Sequence, residues 1–193
     1  LRGKKNNDAS VFVSNHVSFL DIIALNSELP VSFIAKSEIE SWPIIGHLAS
    51  KTGTIFIKRG EKQSSDKIMP HIKNHLASGN KILFFPEGRI GDGISVKKFH
   101  SKLFYSVSKL EIKIQPVSIR YPKKYPQDLN SDNNLTWSDD SQALLNMGFK
   151  CLGKPSTVVL LNFGKTLDAS NLEPSEIAKL TADSVAKSLS NLS

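Results

Sequence analysis

Six short apolar runs separated by segments of helical character set the outer limits on what this chain can become. They are Ser10–Ser14, Val31–Ala35, Thr54–Lys58, Lys81–Phe85, Lys113–Ile119 and Thr157–Phe163. Each is continuous in apolar character rather than alternating, the pattern of strands covered on both faces. Phe19–Asn26 and Ser64–Ala77 read as helices, the second with Ile68, Ile72 and Leu76 on one stripe. Lys97–Lys109 and Ser141–Lys150 follow. Pro174 then opens a last helix, a residue well placed at a first helical position, and Ile177, Leu180, Val185, Leu189 and Leu192 are expected to face inward. The alternation predicts an α/β fold: a mainly parallel or mixed sheet covered by helices on both faces. Pro116 lacks a ladder donor, which pushes the Lys113–Ile119 strand toward an edge or a bulge. Tyr121–Asp140 is rich in Pro, Asn, Asp and Ser and reads as a surface excursion.

With 193 residues, 39% of them hydrophobic, the chain can bury a full core, and residues 1–193 read as one domain. No run approaches the roughly 20 apolar residues of a membrane-spanning helix. The chain opens Leu1-Arg2-Gly3, with neither Met nor a signal-peptide pattern, so a natural N-terminal segment is expected to be missing. Cys151 is the only cysteine; it excludes an intramolecular disulfide and reads as a buried, inert thiol. The formal charge of +7 suits nucleic acid, an anionic membrane or an acidic substrate. The cations Lys4-Lys5, Lys58-Arg59, Lys97-Lys98 and Lys123-Lys124 are scattered and not interleaved with aromatics, so nucleic acid is the poorest of the three.

Polar clusters stand at the ends of four of the expected strands. Asn15-His16 follows the first, Lys36 the second, Lys58-Arg59 ends the third, and Pro86-Glu87-Gly88 follows the fourth. In open α/β sheets the ligand crevice lies at the carboxyl ends of the strands. A bend after His16 brings Asp21 against one imidazole nitrogen and leaves the other free to take a proton. The same residues also fit a bland role, because Ser18-x-x-Asp21 matches a capping box. Lys58-Arg59 is either a solvated strand end or an anion clamp. Glu87, on a turn with Gly88, is placed to project into the crevice. His71 and His75 have the i, i+4 spacing of a zinc pair, but no Glu follows His71, so two surface histidines are expected and no metal.

Taken together and in this order, the motifs resemble the phospholipid and glycerol acyltransferase family, typified by 1-acylglycerol-3-phosphate acyltransferase. Asn15-His16-Val17-Ser18-Phe19-Leu20-Asp21 matches its NHxxxxD motif, Gly53 to Arg59 its GxxFIxR strand, and Phe85 to Gly88 its FPEG. Gln115-Pro116-Val117-Ser118-Ile119 resembles its proline-centred fourth motif. Phe33–Glu38 and Trp42–Gly46 also look like family sequence, so the resemblance covers about residues 9–168. One departure stands out: Arg89 and Ile90 follow Gly88 where the family usually has Thr-Arg. That, with Gly91-Asp92-Gly93 and Phe99–Phe104, looks more like the branch that acylates lyso-ornithine lipid.

The resemblance implies transfer of a fatty acyl chain from a coenzyme A or acyl carrier protein thioester to a lysolipid hydroxyl. The implied acceptor is 1-acylglycerol-3-phosphate, with lyso-ornithine lipid as the alternative. His16 and Asp21 are the implied catalytic pair, with backbone N–H groups of their turn stabilising the oxyanion. Asn15, Lys36, Lys58, Arg59, Glu87, Gly88 and Arg89 are the implied substrate-binding residues, with Arg89 a stand-in for the displaced arginine and Glu87 either binding an acceptor hydroxyl or buttressing its loop. No resident cofactor or metal is implied. Membrane association at the cytoplasmic face follows from lipid substrates, either peripheral, with Trp42 to Ile45 as an interfacial segment, or through the missing N-terminal segment. A thioesterase using the same pair, and a non-catalytic membrane-binding protein, are the rivals.

Overall fold

The computed structural model describes residues 1–42, 45–57, 62–108, 110–132, 135–136 and 156–191, with backbone alone for 45, 48 and 62–68. Lys58, Arg59, Cys151 and the expected 141–150 helix lie outside the described residues.

The strands are β1 (Arg2–Gly3), β2 (Ala9–Ser14), β3 (Ser32–Lys36), β4 (Ile55–Ile57), β5 (Ile82–Phe84), β6 (Lys113–Arg120), β7 (Pro122–Lys124), β8 (Asp128–Ser131), β9 (Leu160–Phe163) and β10 (Leu167–Asp168). The helices are α1 (Leu20–Glu28), α2 (Ile45–Lys51), α3 (Lys62–Ala77) and α4 (Pro174–Ser190). Two 3-10 segments, Ser37–Ser41 and Ser101–Ser106, complete the described set. Pro30 accounts for the end of α1: Leu29 before it is extended, at φ −128° and ψ 115°.

The main sheet runs β1-β9-β6-β2-β5-β3-β4, with β10 also paired to β6. Neighbours from β6 through β2, β5 and β3 to β4 are parallel, whereas β9 and β10 run antiparallel to β6. The sheet is therefore mixed, and its parallel part brings the ends of β2, β3, β4, β5 and β6 to one edge. Alternation along each strand divides the core. Val11, Val13, Ile34, Ile82, Phe84 and Ile114 face Ile72 of α3, Phe104 of the second 3-10 segment, and Ile177, Val185 and Leu189 of α4. Phe12, Phe33, Leu83, Val117 and Ile119 face Leu25 of α1, Leu29 and Tyr121. Each fully buried large side chain contributes about 1.5–3 kcal/mol, so both layers are needed to hold the sheet.

Three expectations are corrected. Pro116 is not at an edge or a bulge: β6 lies inside the sheet, with Pro116 opposite Val13 of β2. On its other side β10 pairs only with Lys113–Ile114 and β9 only with Val117–Arg120, so Pro116 falls where the partner changes. The Pro116 carbonyl there accepts the Gly164 N–H at 2.9 Å. The helix expected over Lys97–Lys109 is reduced to the 3-10 turn at Ser101–Ser106. Its first donors are engaged elsewhere: the Lys97 N–H bonds Glu87 and the His100 N–H bonds the Pro86 carbonyl. In α4 the stripe is Pro174, Ile177, Ala178, Thr181, Val185, Ser188 and Leu189, which leaves Leu180 exposed. Leu192 lies outside the described residues. The expected surface excursion is there in its described part, opening as the largely exposed β7–β8 hairpin, whose base carries the buried Tyr121 and Asp132.

Candidate active site

β2 delivers Asn15 and His16 to the sheet edge, and the chain then turns through Val17–Phe19 into α1. That turn wraps around Asp21, which is fully buried. Its Oδ2 lies 2.7 Å from His16 Nδ1 and accepts the N–H groups of Val17 at 2.7 Å and Ser18 at 3.1 Å. Its Oδ1 accepts the Tyr121 hydroxyl at 2.9 Å. The helix-entry role and the His-pairing role therefore coexist on one carboxylate. An acceptor already ringed by donors takes the hydrogen of Nδ1 as well, which leaves the His16 Nε2 lone pair available. The His16 side chain retains 19% of its exposure while that of Asp21 has none.

The backbone of His16 is held from both sides. Its N–H donates to Glu87 Oε2 at 3.3 Å, and its carbonyl accepts the Gly91 N–H at 2.6 Å. Glu87 Oε1 accepts the Lys97 N–H at 3.0 Å, and Lys97 Nζ reaches the Ile90 carbonyl at 2.9 Å. Glu87 is thus buried between two loops, its carboxyl directed at peptide groups. Burial pushes its pKa up from 4.5 to about 7, against the lowering effect of the two backbone hydrogen bonds and of nearby His16 and Lys97. Gly88 makes the turn possible at φ 72°. The imidazole of His16 lies on the ring of Phe85, with centroids 4.1 Å apart and planes 13° apart.

Asn15 is buried, and its amide is engaged at both ends by one residue of β6: Nδ2 donates to the Ile119 carbonyl at 3.0 Å, and Oδ1 accepts the Ile119 N–H at 2.9 Å. The expectation that N–H groups of the His16 turn face an oxyanion is corrected here, because those of His16, Val17 and Ser18 all point inward to carboxylates. Lys36 and Arg89 are exposed, Lys36 closing β3 and Arg89 following the Glu87–Gly88 turn. His71 is exposed, while His75 Nε2 lies 3.0 Å from Ser32 Oγ. Among the described residues no three His, Cys, Asp or Glu side chains gather as a metal site, and no helix is long and apolar enough to cross a membrane. Of the interfacial segment, Trp42 is half-buried; Pro43 and Ile44, with the side chain of Ile45, lie outside the described residues.

The structure therefore gathers His16, Asp21, Asn15, Glu87 and Gly88 in one knot. It adds Lys97 and Tyr121, to which sequence reasoning gave no place in the site, and sets Phe85, until then only part of the FPEG match, against the imidazole. The available signal for Tyr121 was an aromatic residue at the carboxyl end of an apolar strand.

Residues 2–120, more than half of the chain, match the model of the family described as Acyltransferase. A lyso-ornithine lipid O-acyltransferase of Pseudomonas aeruginosa is 30% identical over 189 residues, covering 98% of this chain and 71% of that protein. A 1-acyl-sn-glycerol-3-phosphate acyltransferase of Neisseria gonorrhoeae is 39% identical over 108 residues, 56% of this chain and 42% of that one. Among solved structures, the 1-acyl-sn-glycerophosphate (LPA) acyltransferase PlsC of Thermotoga maritima superposes with a TM-score of 0.64 at 20% identity, over 97% of this chain and 68% of that one. The last comparison shows a shared fold. With the family match over these motifs, the conclusion is that this chain belongs to the Acyltransferase family and is an acyltransferase.

Proposed function

We propose that the protein transfers a fatty acyl chain from a coenzyme A or acyl carrier protein thioester to the free hydroxyl of a lysolipid. The observation that supports this best is His16, with Nδ1 on the buried Asp21 and Nε2 open at the sheet edge. In this reading Nε2 takes the hydroxyl proton as the oxygen bonds to the thioester carbonyl carbon. Collapse of the tetrahedral adduct forms the ester and expels the thiolate, which recovers the proton from the imidazolium. Asp21 orients the imidazole and offsets its transient charge. The scheme uses no Ser or Cys nucleophile, no metal and no resident cofactor.

Asn15, Glu87 and Gly88 act in this reading by fixing the turn, since their polar groups engage backbone. The cations Lys36, Lys58, Arg59 and Arg89 are the groups for an anionic head group. For the acceptor, 1-acylglycerol-3-phosphate has the support of the shared motifs and of the Neisseria relative. Lyso-ornithine lipid has more: Arg89-Ile90 replaces the usual Thr-Arg, and the Pseudomonas relative so named matches over nearly the whole chain. Lipid substrates and the +7 charge support peripheral attachment to the cytoplasmic face of an anionic membrane.

The deciding assay offers purified protein both lysolipids side by side with one acyl thioester. Product from either acceptor, abolished in His16→Ala, is the expected result. Thioester cleavage that ignores the acceptor would make the protein a hydrolase. Anionic vesicles should pellet the protein and high salt should release it.

A further inference from the structure

We infer that Tyr121 is a positioning residue for the His16–Asp21 pair, so that the working unit is a Tyr–Asp–His chain. The inference rests on the proposed role of His16 as base and adds a group outside the H-x4-D motif.

Three observations carry it. The Tyr121 hydroxyl donates to Asp21 Oδ1 at 2.9 Å, while the other oxygen, Oδ2, faces Nδ1 of His16 at 2.7 Å. Both groups are out of solvent, with Asp21 0% and Tyr121 1% exposed, so water does not compete for the bond. The hydroxyl also comes from a different part of the chain than the rest of the pair: Val17 and Ser18 donate to Oδ2, and Tyr121 adds a donor at Oδ1. With both oxygens held, the plane of the carboxylate is set from two directions, and with it the direction of the imidazole.

The backbone of Tyr121 is itself anchored. It follows β6, whose Ile119 is bonded through both peptide groups to the Asn15 side chain, and its carbonyl accepts the Asp132 N–H at 2.9 Å. The chemical consequence follows from charge. A phenol O–H donated to one carboxylate oxygen draws negative charge away from the other. Its removal returns that charge to Oδ2 and leaves the carboxylate, and the imidazole it orients, without the donor at Oδ1.

The test compares wild type, Tyr121→Phe and His16→Ala for acyl transfer to a lysolipid. Tyr121→Phe keeps the ring in its buried place and deletes only the hydroxyl; circular dichroism and thermal unfolding confirm a folded protein. The expected result is a kcat lowered about tenfold with a KM for the thioester changed by less than about twofold. A purely structural contact would change Tm and leave the kcat of the folded protein in place. The inference is overturned if folded Tyr121→Phe keeps the wild-type kcat while His16→Ala is inactive. Activity retained in His16→Ala would instead overturn the reading of His16 as base.

Discussion

The ring of Phe85 lies flat against the imidazole of His16, centroids 4.1 Å apart and planes within 13°. Phe33 continues the stack at 6.2 Å and 17° from Phe85. The aromatic face is the negative side of the ring, so it favours the imidazolium that the proposed mechanism forms at His16, by about 0.5–1 kcal/mol at a partly exposed site. Phe85→Leu keeps much of the apolar volume and loses that face. Its kcat for acyl transfer should fall about two- to fivefold with the fold intact, as steady-state kinetics beside circular dichroism would read. An unchanged kcat would mean that the stack is packing alone.

Asp21 has a structural place in the turn and, in the proposed mechanism, a catalytic one, and substitution should separate them. Asp21→Asn puts an NH2 group among donors from Val17, Ser18, His16 and Tyr121. A buried polar clash of this kind costs about 1–3 kcal/mol. Loss of a positioned acid–base partner lowers rate by about 10²–10⁴. His16→Ala should show the rate loss with much less destabilisation, because the His16 side chain is partly exposed. Urea unfolding and initial rates on both variants check the contrast; equal destabilisation of the two would contradict it.

Glu87 predicts a pH dependence. Burial raises its pKa from 4.5 to about 7, so between those values the folded protein holds a proton that the unfolded chain has released. Stability from this group is therefore greatest at the acid side and falls as pH rises through that window, by on the order of 3 kcal/mol at most. Thermal unfolding should show this falling component in wild type. In Glu87→Gln, neutral at every pH, it should disappear. The variant keeps one carbonyl oxygen for two N–H donors, so it also loses about 1 kcal/mol that does not vary with pH. Identical pH slopes would remove Glu87 as the source.

Gly93 is fixed by space and conformation together. Its φ is 71°, and a Cβ there would stand 2.7 Å from Ser131 Oγ and 2.9 Å from Val17 Cγ1. Gly93→Ala should therefore destabilise by about 1–3 kcal/mol and displace the turn beside His16. Chemical denaturation together with kcat would detect both; a neutral effect on each would show that Ser131 yields freely.

Strand positions and the shared sheet edge were legible because continuous apolar runs and the polar residues after them are local signals. The placing of Asn15, His16, Asp21 and Glu87 at that edge was legible for the same reason, although the Glu87 carboxyl, expected to project into the crevice, is buried against the His16 and Lys97 N–H groups. Three features were not, and each depends on partners distant in sequence. Pro116 looked like an edge residue because sequence does not reveal that β6 changes partners beside it. Lys97–Lys109 looked helical because nothing local announces that Glu87 and Pro86 take its first N–H groups. Tyr121 looked like the start of a loop because its hydroxyl partner lies 100 residues earlier.

Those separations carry a kinetic consequence. The knot around His16 is closed by bonds spanning 71 residues to Glu87 and, from Asn15 and Asp21, 104 and 100 residues to Ile119 and Tyr121. Loop closure over such distances is among the slow steps of folding. No partly folded form that lacks either β5 or β6 can hold His16 in place. During refolding, enzymatic activity should therefore return only with the last phase of native sheet assembly, behind helix content and collapse.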